Sequence, residues 1–344
     1  MNALKSVAMF ITVYGQKECT LVTVGDAIES YLNKPDDYTQ SRCLINRGDT
    51  ATWRTHGTSM PLLRVHQDGE GSRWFSAVRR TRWATCILLI SAAITISGVL
   101  VGMGVSSIKY VGGSPWHLGW GAIDSTAVFQ GWDRYDLPQD GAKGLLVSVL
   151  LSNCPQAMVS FLYLLYNSLL TSLLLAKEWS TYASQRKGLR VTTRSGNFQR
   201  STYYLHLPFR YSIPLLCVLA ILHWVISQSI FLVRIATYED GEKQSDSDES
   251  NIGFSLPPIL TAMMTGVLLL AFLIGLGFRR LENMPVAGSC SVAISAACQR
   301  PEEDVDAALL PVQWEEVQGT NDEIGHACFT SQAVTPLVPG RIYA

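Results

Sequence analysis

The chain has 344 residues, of which 48% are apolar and 16% are charged, whereas about 25% of the residues of a typical soluble domain are charged. Its 27 lysines and arginines nearly balance its 28 acidic residues, and the net charge is −1. This balance gives no overall basic excess of the kind that points to a nucleic-acid partner. The low charged fraction disfavours a single water-soluble globule.

The charged residues leave four long gaps along the chain. No Lys, Arg, Asp or Glu occurs in residues 84–108, 144–176, 211–233 or 256–278. About 20 apolar residues suffice to cross the roughly 30 Å hydrocarbon layer of a bilayer. We therefore predict an all-α membrane protein, a bundle of four transmembrane helices whose partner is the lipid bilayer.

The second gap is longer than one crossing requires, since a straight helix over its 33 residues would extend about 50 Å. Two crossings would put the basic segment after residue 176 on the same side as the near-neutral loop before residue 144. Pro155 instead indicates a bend in a single crossing. We predict spans at 84–108, 154–176, 211–233 and 256–278, with 144–153 as an interfacial lead-in.

Loop charges predict the sidedness, because Lys and Arg in short flanking loops tend to stay in the cytoplasm. Basic residues precede the first span and fill the connection between the second and third, whereas residues 235–255 are acidic. Both termini are therefore predicted to be cytoplasmic, at the plasma membrane.

The predicted domains are a cytoplasmic N-terminal segment, 1–83, a transmembrane region, 84–278, and a cytoplasmic tail, 279–344. The tail is acidic and holds five prolines, a composition that predicts a mostly disordered segment.

Polar residues in and just before the second span recur every three or four positions, which places them on one helical face. They are Asn153, Gln156, Ser160, Tyr163, Asn167 and Thr171. His223 and Ser227 lie one turn apart in the third span. Because polar groups exposed to lipid are costly, this intramembrane polar face indicates hydrogen bonding between helices. A pathway for a solute is the alternative.

Small residues form faces on two further spans. Gly98 with Gly102 in the first span and Ala262 with Gly266 in the fourth lie one helical turn apart. Such pairs are typical of close packing between membrane helices. We therefore expect these faces to be packing surfaces.

Motifs of the common enzyme classes are absent from the sequence. It holds no phosphate-binding loop ending in Gly-Lys-Ser/Thr, no His-Glu-x-x-His pair, no Gly-x-Ser-x-Gly elbow and no Cys-x-x-Cys. His223 has no second histidine or carboxylate in any predicted span that could complete a metal site. We therefore predict no catalytic, cofactor-binding or metal-binding residues, no cofactor, and a protein that is not an enzyme.

Cys290 and Cys298 lie in an uncharged segment, 284–298, just beyond the last predicted span. The segment is too short to cross a bilayer, so we expect it to lie along the inner leaflet or to dock under the bundle. Cytoplasmic cysteines near a membrane can be acylated, which makes both thiols candidates for lipidation. The alternative is a pair of inert thiols packed among small side chains.

Several strings in the sequence carry a resemblance to a known family. They are LVTVGDAI at 21–28, EWS at 178–180, QRKGLR at 185–190, QRSTYY at 199–204, HWVISQ at 223–228, GSCS at 288–291 and GRIYA at 340–344. Together they resemble a fungal family of polytopic membrane proteins defined by a domain of unknown function. Members of that family are longer, so the chain resembles their C-terminal part and is expected to be a truncated gene model or a short paralogue. The resemblance implies a membrane location and an architecture, and it implies no catalytic residue.

The sequence therefore predicts an integral membrane protein of unknown biochemical activity with a structural or interaction role at a fungal membrane. The alternative is a transporter or channel subunit with a polar pathway along the second span. Beyond the bilayer, the expected partners are other membrane helices or further copies of the chain in a homo-oligomer.

Overall fold

The computed structural model describes residues 6–7, 10–11, 14–15, 21–50, 63–66, 71–110, 112, 119–121, 127–128, 141–193, 196–202, 207–235, 238–239, 242–243, 249–317 and 323–344. These residues divide into two compact units. The helical unit comprises Val78–Leu170 and Arg210–Phe278. The mixed unit comprises Met1–Ala77, Thr171–Phe209 and Arg279–Ala344.

The secondary-structure elements are numbered in chain order. The helices are α1 (Val24–Asn33), α2 (Trp74–Ala77), α3 (Arg80–Tyr110), α4 (Gly141–Ser180), α5 (Phe209–Ser229), α6 (Leu256–Gly277) and α7 (Ser291–Ala297). The strands are β1 (Arg64–Val65), β2 (Arg190–Val191), β3 (Arg200–Ser201), β4 (Ile230–Ile235), β5 (Tyr238–Glu239), β6 (Glu242–Lys243), β7 (Glu249–Phe254), β8 (Gln313–Val317), β9 (Ile324–Gly325), β10 (Ala327–Thr330), β11 (Val334–Thr335) and β12 (Ile342–Tyr343).

Four helices, α3, α4, α5 and α6, are long and apolar enough to cross a membrane. This finding agrees with the four predicted spans in number and order. Pro257 and Pro258 follow Leu256 in the first turn of helix α6, where a backbone N–H would have no intrahelical partner and its absence in proline costs no hydrogen bond. It ends at Gly277, next to the paired arginines 279 and 280.

Small residues allow α3 and α6 to pack closely. A Cβ atom added to Gly266 would lie 3.4 Å from Cγ1 of Ile94, and one added to Gly98 would lie 3.8 Å from the sulfur of Met263. The expected packing role of these two glycines is consistent with that geometry. Gly102 differs, because a Cβ atom added there would have no described atom within 4 Å.

The bounds of two helices differ most from those of the predicted spans. The second span and its lead-in form one continuous helix, α4, of 40 residues with Pro155 inside it, about 60 Å long. The third helix ends at Ser229, four residues before the predicted end. The next residues, rich in β-branched and aromatic side chains, instead form β4, which pairs antiparallel with β7 over six residue pairs. The hydrogen bond from the N–H of Ser255 to the carbonyl of Ser229, at 2.9 Å, closes this hairpin.

The mixed unit makes the protein more than an all-α bundle. Its strands form two three-stranded sheets, ordered β1-β12-β9 and β10-β8-β11, and a parallel pair, β2-β3. Its core contains residues from all three chain segments, including Ile28, Tyr182 and Trp314. The ring of Phe329 lies 5.2 Å from the rings of both Trp179 and Tyr182 in edge-to-face arrangements.

The prediction of a mostly disordered tail was also wrong for its described residues, 279–317 and 323–344. They form α7 and β8 to β12, and Trp314, Phe329 and Tyr343 are at most 1% exposed. Apolar residues of the tail pack against α1 and the end of α4 in a shared core. Composition therefore misled, because the tail's packing partners lie in distant parts of the chain.

Candidate functional site

The predicted polar face of α4 is unevenly placed. Asn153 and Ser160 are exposed, whereas the other four residues, Gln156, Tyr163, Asn167 and Thr171, are half-buried. Both exposed side chains bond to their own helix: Asn153 donates to the carbonyl of Val149 at 2.8 Å, and Ser160 donates to that of Gln156 at 3.0 Å. The burial of Gln156 and Asn167 between helices stays a prediction.

The structure brings one member of the polar face on α4 next to His223 on α5. The Ser160 hydroxyl lies 3.5 Å from Nε2 of His223, at the long end of the hydrogen-bond range. Ser227, one turn further along α5, is turned to its own helix and donates to the carbonyl of Trp224 at 2.6 Å. The Ser160–His223 contact is therefore the one point where the predicted polar residues of the two helices are joined among those described.

An apolar cavity of about 230 Å³ lies within the helical unit, between α3, α4, α5 and α6. Most of its lining consists of aliphatic side chains, and the lining hydroxyl groups belong to Ser97, Tyr163, Tyr166 and Ser229. The cavity opens on the surface of the helical unit, because its lining residues Ile96, Leu100 and Met158 are 52%, 44% and 47% exposed.

The lining hydroxyl groups differ in their hydrogen bonds. Ser97 and Ser229 donate to carbonyls of their own helices at 2.9 Å, and Tyr166 donates to the carbonyl of Leu269 at 3.3 Å. The hydroxyl of Tyr163 has no hydrogen-bond partner among the described residues. Tyr163 is thus the residue of the predicted polar face that meets the cavity with its hydrogen-bonding capacity unused.

Basic residues cluster around Trp74 in the mixed unit. The backbone N–H of Trp74 donates to the carbonyl of Arg279 at 2.9 Å, and its indole N–H donates to that of Arg280 at 3.3 Å. Arg73 and Arg280 form an antiparallel bridge, and the amine of Lys177 lies 5.9 Å from the Trp74 ring. The sequence indicated these cationic residues only as markers of membrane sidedness. It did not indicate that they lie around Trp74, which is 1% exposed.

Buried carboxylates and an amine organise the mixed unit, and none of them was predicted from the sequence. Burial acts to raise the pKa of Asp26, but hydrogen bonds from Thr192 and Thr23 outweigh it and hold the pKa below its usual value. Burial lowers the pKa of Lys187 to about 8. The Lys187 amine donates to the carbonyl of Glu178 at 3.1 Å, near the end of α4. The capping pattern Thr-x-x-Asp at 23–26 was the one signal in the sequence that could have indicated a role for Asp26.

The two candidate lipidation sites occupy different environments. Cys298 is 0% exposed and belongs to the core of the mixed unit, so an acyl chain could be attached only if that core opened. This burial does not fit the lipidation prediction at Cys298. Cys290 is half-buried, with its sulfur 3.3 Å from the hydroxyl of Thr50.

Among the described residues, no group of three or more His, Cys, Asp or Glu side chains could hold a metal ion.

The four apolar helices suggest a membrane-embedded protein. The chain belongs to the family described as Domain of unknown function (DUF8419), whose model matches residues 65–336. That stretch includes all four long helices, α3 to α6, together with residues of both units. No curated protein and no solved structure matches the chain.

Proposed function

We propose that the chain is a non-enzymatic integral membrane protein with a structural or interaction role, and that the polar residues around Ser160 and His223 bind another membrane helix. The observation that carries this proposal is the position of Ser160. It is exposed on the helical unit, yet it lies on an apolar helix long enough to span a membrane and 3.5 Å from His223 on the neighbouring helix.

The energetics of lipid exposure support a helix as the partner. Polar groups at membrane depth are costly against lipid and usually face other helices or water. Hydrogen bonds between membrane helices are worth about 0.6 to 2 kcal/mol each, and a second helix would give the exposed Ser160 and the half-buried His223 such partners. The partner helix belongs to another copy of this chain or to another membrane protein.

The walls of the cavity argue against the alternative of a polar solute pathway. A pathway along α4 would require its polar residues to line a water-filled passage. The cavity between the four helices is instead lined mostly by aliphatic side chains, and Tyr163 is the one residue of the predicted polar face that lines it. The polar face therefore fits an interface better than a passage.

We further propose that both termini lie in the cytoplasm of a fungal cell, at the plasma membrane. The mixed unit supports an even number of membrane crossings. Its three chain segments precede α3, join α4 to α5 and follow α6. Four single crossings return the chain to the same side each time. The basic residues of these segments, including Arg73, Arg279 and Arg280, support the cytoplasmic side, and the resemblance to a fungal family supports the source and membrane.

Photocrosslinking in intact membranes tests the interface. A photoreactive residue at Leu164, which is 62% exposed and one turn from Ser160, should give a crosslinked product whose mass shows whether the partner is a second copy. We expect the yield to fall several-fold in a Ser160→Leu, His223→Leu variant. Thr95→Leu is the matched control, because Thr95 is also exposed and also donates to its own helix, to the carbonyl of Ser91.

Water accessibility separates the two functions. In a background without Cys154 and Cys217, which are exposed in the helical unit, Ser160→Cys and Asn167→Cys should resist a membrane-impermeant thiol reagent. Rapid modification of both positions, together with a crosslinking yield that the Leu variants leave unchanged, would favour a solute pathway and overturn the proposal.

A further inference from the structure

We propose that the cavity of the helical unit is a binding site for a neutral membrane lipid that carries a single hydroxyl group, as a sterol alcohol does. This site is separate from the proposed helix interface and does not depend on it. Three features of the molecule support such a site: the composition of the cavity walls, the free hydroxyl of Tyr163 and the apolar surroundings of the four helices.

The walls of the cavity disfavour a charged ligand. The cavity is lined by residues of α3, α4, α5 and α6 and of the first position of β4, and none of the lining residues is acidic or basic. A phosphate or ammonium group placed inside would lose its hydration without gaining an ionic partner, which is strongly unfavourable. The part of a lipid that lies within the cavity is therefore uncharged.

The position of the cavity favours a lipid over water. The cavity has a volume of about 230 Å³ and opens on the surface of the helical unit, where its lining residues Ile96 and Met158 are exposed. Its walls belong to helices that are long and apolar enough to lie in a bilayer. The bilayer is the apolar solvent around such helices, so its own components are the ligands present at the highest concentration.

Tyr163 indicates that the lipid has one polar group. Its hydroxyl lies on a lining residue and has no hydrogen-bond partner in the part of the chain that the structure describes. Three other lining hydroxyls, those of Ser97, Tyr166 and Ser229, already donate to backbone carbonyls. A ligand hydroxyl bonded to Tyr163 would use the remaining capacity, whereas a pure hydrocarbon would leave it unused.

A photoreactive sterol alcohol tests the proposal on the full-length protein in phosphatidylcholine vesicles. We expect labelling that unlabelled sterol competes away and that maps to peptides lining the cavity, such as the one containing Met158. Ala262→Leu adds bulk to a lining position and should reduce labelling at least fivefold. Ala271→Leu is the matched control, since Ala271 lies on the same helix, is exposed and does not line the cavity, and it should label as the wild type does.

A second variant tests the hydroxyl contact and also covers the case in which Ala262→Leu misfolds. Tyr163→Phe should lower labelling by the alcohol about fivefold, the effect of one hydrogen bond, and should leave labelling by an analogue without the hydroxyl unchanged. Equal loss with both probes would overturn the role of Tyr163. Labelling of a folded Ala262→Leu variant at the wild-type level, or preferential labelling of the cavity by a photoreactive phospholipid when sterol is present, would overturn the site.

Discussion

The carboxylate of Asp26 accepts hydrogen bonds from both the backbone N–H and the hydroxyl of Thr192, at 2.6 and 2.7 Å, although 166 residues separate the two in the chain. Asp26 belongs to α1, before the first long apolar helix, and Thr192 follows the second one. This pair therefore joins two segments of the mixed unit that α3 and α4 separate in the sequence.

The first prediction is that Asp26→Asn destabilises the mixed unit by about 3 kcal/mol. One carboxylate oxygen, Oδ2, also accepts from the backbone N–H groups of Val22 and Thr23, at 3.0 and 2.7 Å. An asparagine of the same shape offers only one acceptor oxygen, so its amide NH₂ would face donors that then lack a partner. Urea unfolding of the full-length protein in micelles, followed by labelling of the fully buried Cys328, measures the change.

Asp37→Asn provides the matched control, because Asp37 is exposed and the same substitution there should change stability by less than about 0.5 kcal/mol. The pH dependence gives a second readout. The pKa of Asp26 is lowered in the folded protein, so its stabilisation is present above the unfolded pKa of about 4 and is lost as the pH falls through the folded value. Acid should therefore destabilise the wild type more than Asp26→Asn; an equal loss in both would contradict the assigned role.

The second prediction concerns Tyr343 in the acidic tail. Its side chain is 1% exposed, and its hydroxyl donates to Oε2 of Glu316 at 2.8 Å and accepts from the N–H of Val338 at 2.8 Å. Truncation of a buried aromatic residue costs about 3 to 5 kcal/mol, so Tyr343→Ala should destabilise the mixed unit by that amount. The same substitution at Tyr38, which is 86% exposed, should have little effect. A disordered tail would instead make the two variants equally stable in the same urea titration.

These residues show why the spans could be predicted from the sequence and the tail could not. A charge-free run of 20 or more residues identifies a spanning helix without knowledge of its neighbours. The tail is different, because its acidic residues are internal acceptors. Asp304 accepts from the hydroxyl of Thr330 at 2.6 Å and from the N–H of Ser331 at 2.7 Å, and Glu316 pairs with Arg341 at 2.6 Å. Composition counts such carboxylates as solvated, and only the fold shows their partners.

The polar face of α4 was predictable as a pattern, but its surroundings were not. The spacing of three and four residues placed Ser160 and Tyr163 on the same face. In the fold, Ser160 is exposed beside His223 while Tyr163 lines the cavity. The side of a helix that meets a cavity depends on how the helix is rotated about its axis relative to its neighbours. No local pattern in the sequence indicates that rotation.

The third prediction is a pH dependence from Lys187. The pKa of Lys187 is lowered from 10.5 to about 8, and burial is the largest cause. Glu178 acts in the opposite direction, and Arg200, Arg190 and Lys177 contribute to the lowering. Between pH 8 and 10.5 the unfolded chain holds a proton that the folded chain has released, so stability from this group increases with pH across that window. The free energy of unfolding of the wild type should therefore rise relative to that of Lys187→Met from pH 8 to pH 10.

The free energy of unfolding is compared between wild type and Lys187→Met at each pH. The difference cancels the contribution of the titrating groups that both proteins share. Lys34→Met serves as the control, because Lys34 is exposed and its removal should leave the pH profile of the wild type unchanged. A difference between wild type and Lys187→Met that stays constant over this range would show that the Lys187 amine keeps its proton on folding. The profile is measured by the same Cys328 protection in micelles.

The last prediction separates Cys290 from Cys298. The Cys298 thiol is fully buried, and burial raises its pKa well above the usual value, so both access and the thiolate fraction are low. A thiol reagent should therefore modify Cys298 only after denaturation, whereas the half-buried Cys290 should react slowly in the native protein. Acyl-exchange labelling then decides the lipidation question residue by residue. Any signal from this segment should disappear in Cys290→Ser and persist in Cys298→Ser; the reverse pattern, with native reactivity at Cys298, would mean that the core around α7 opens at the membrane.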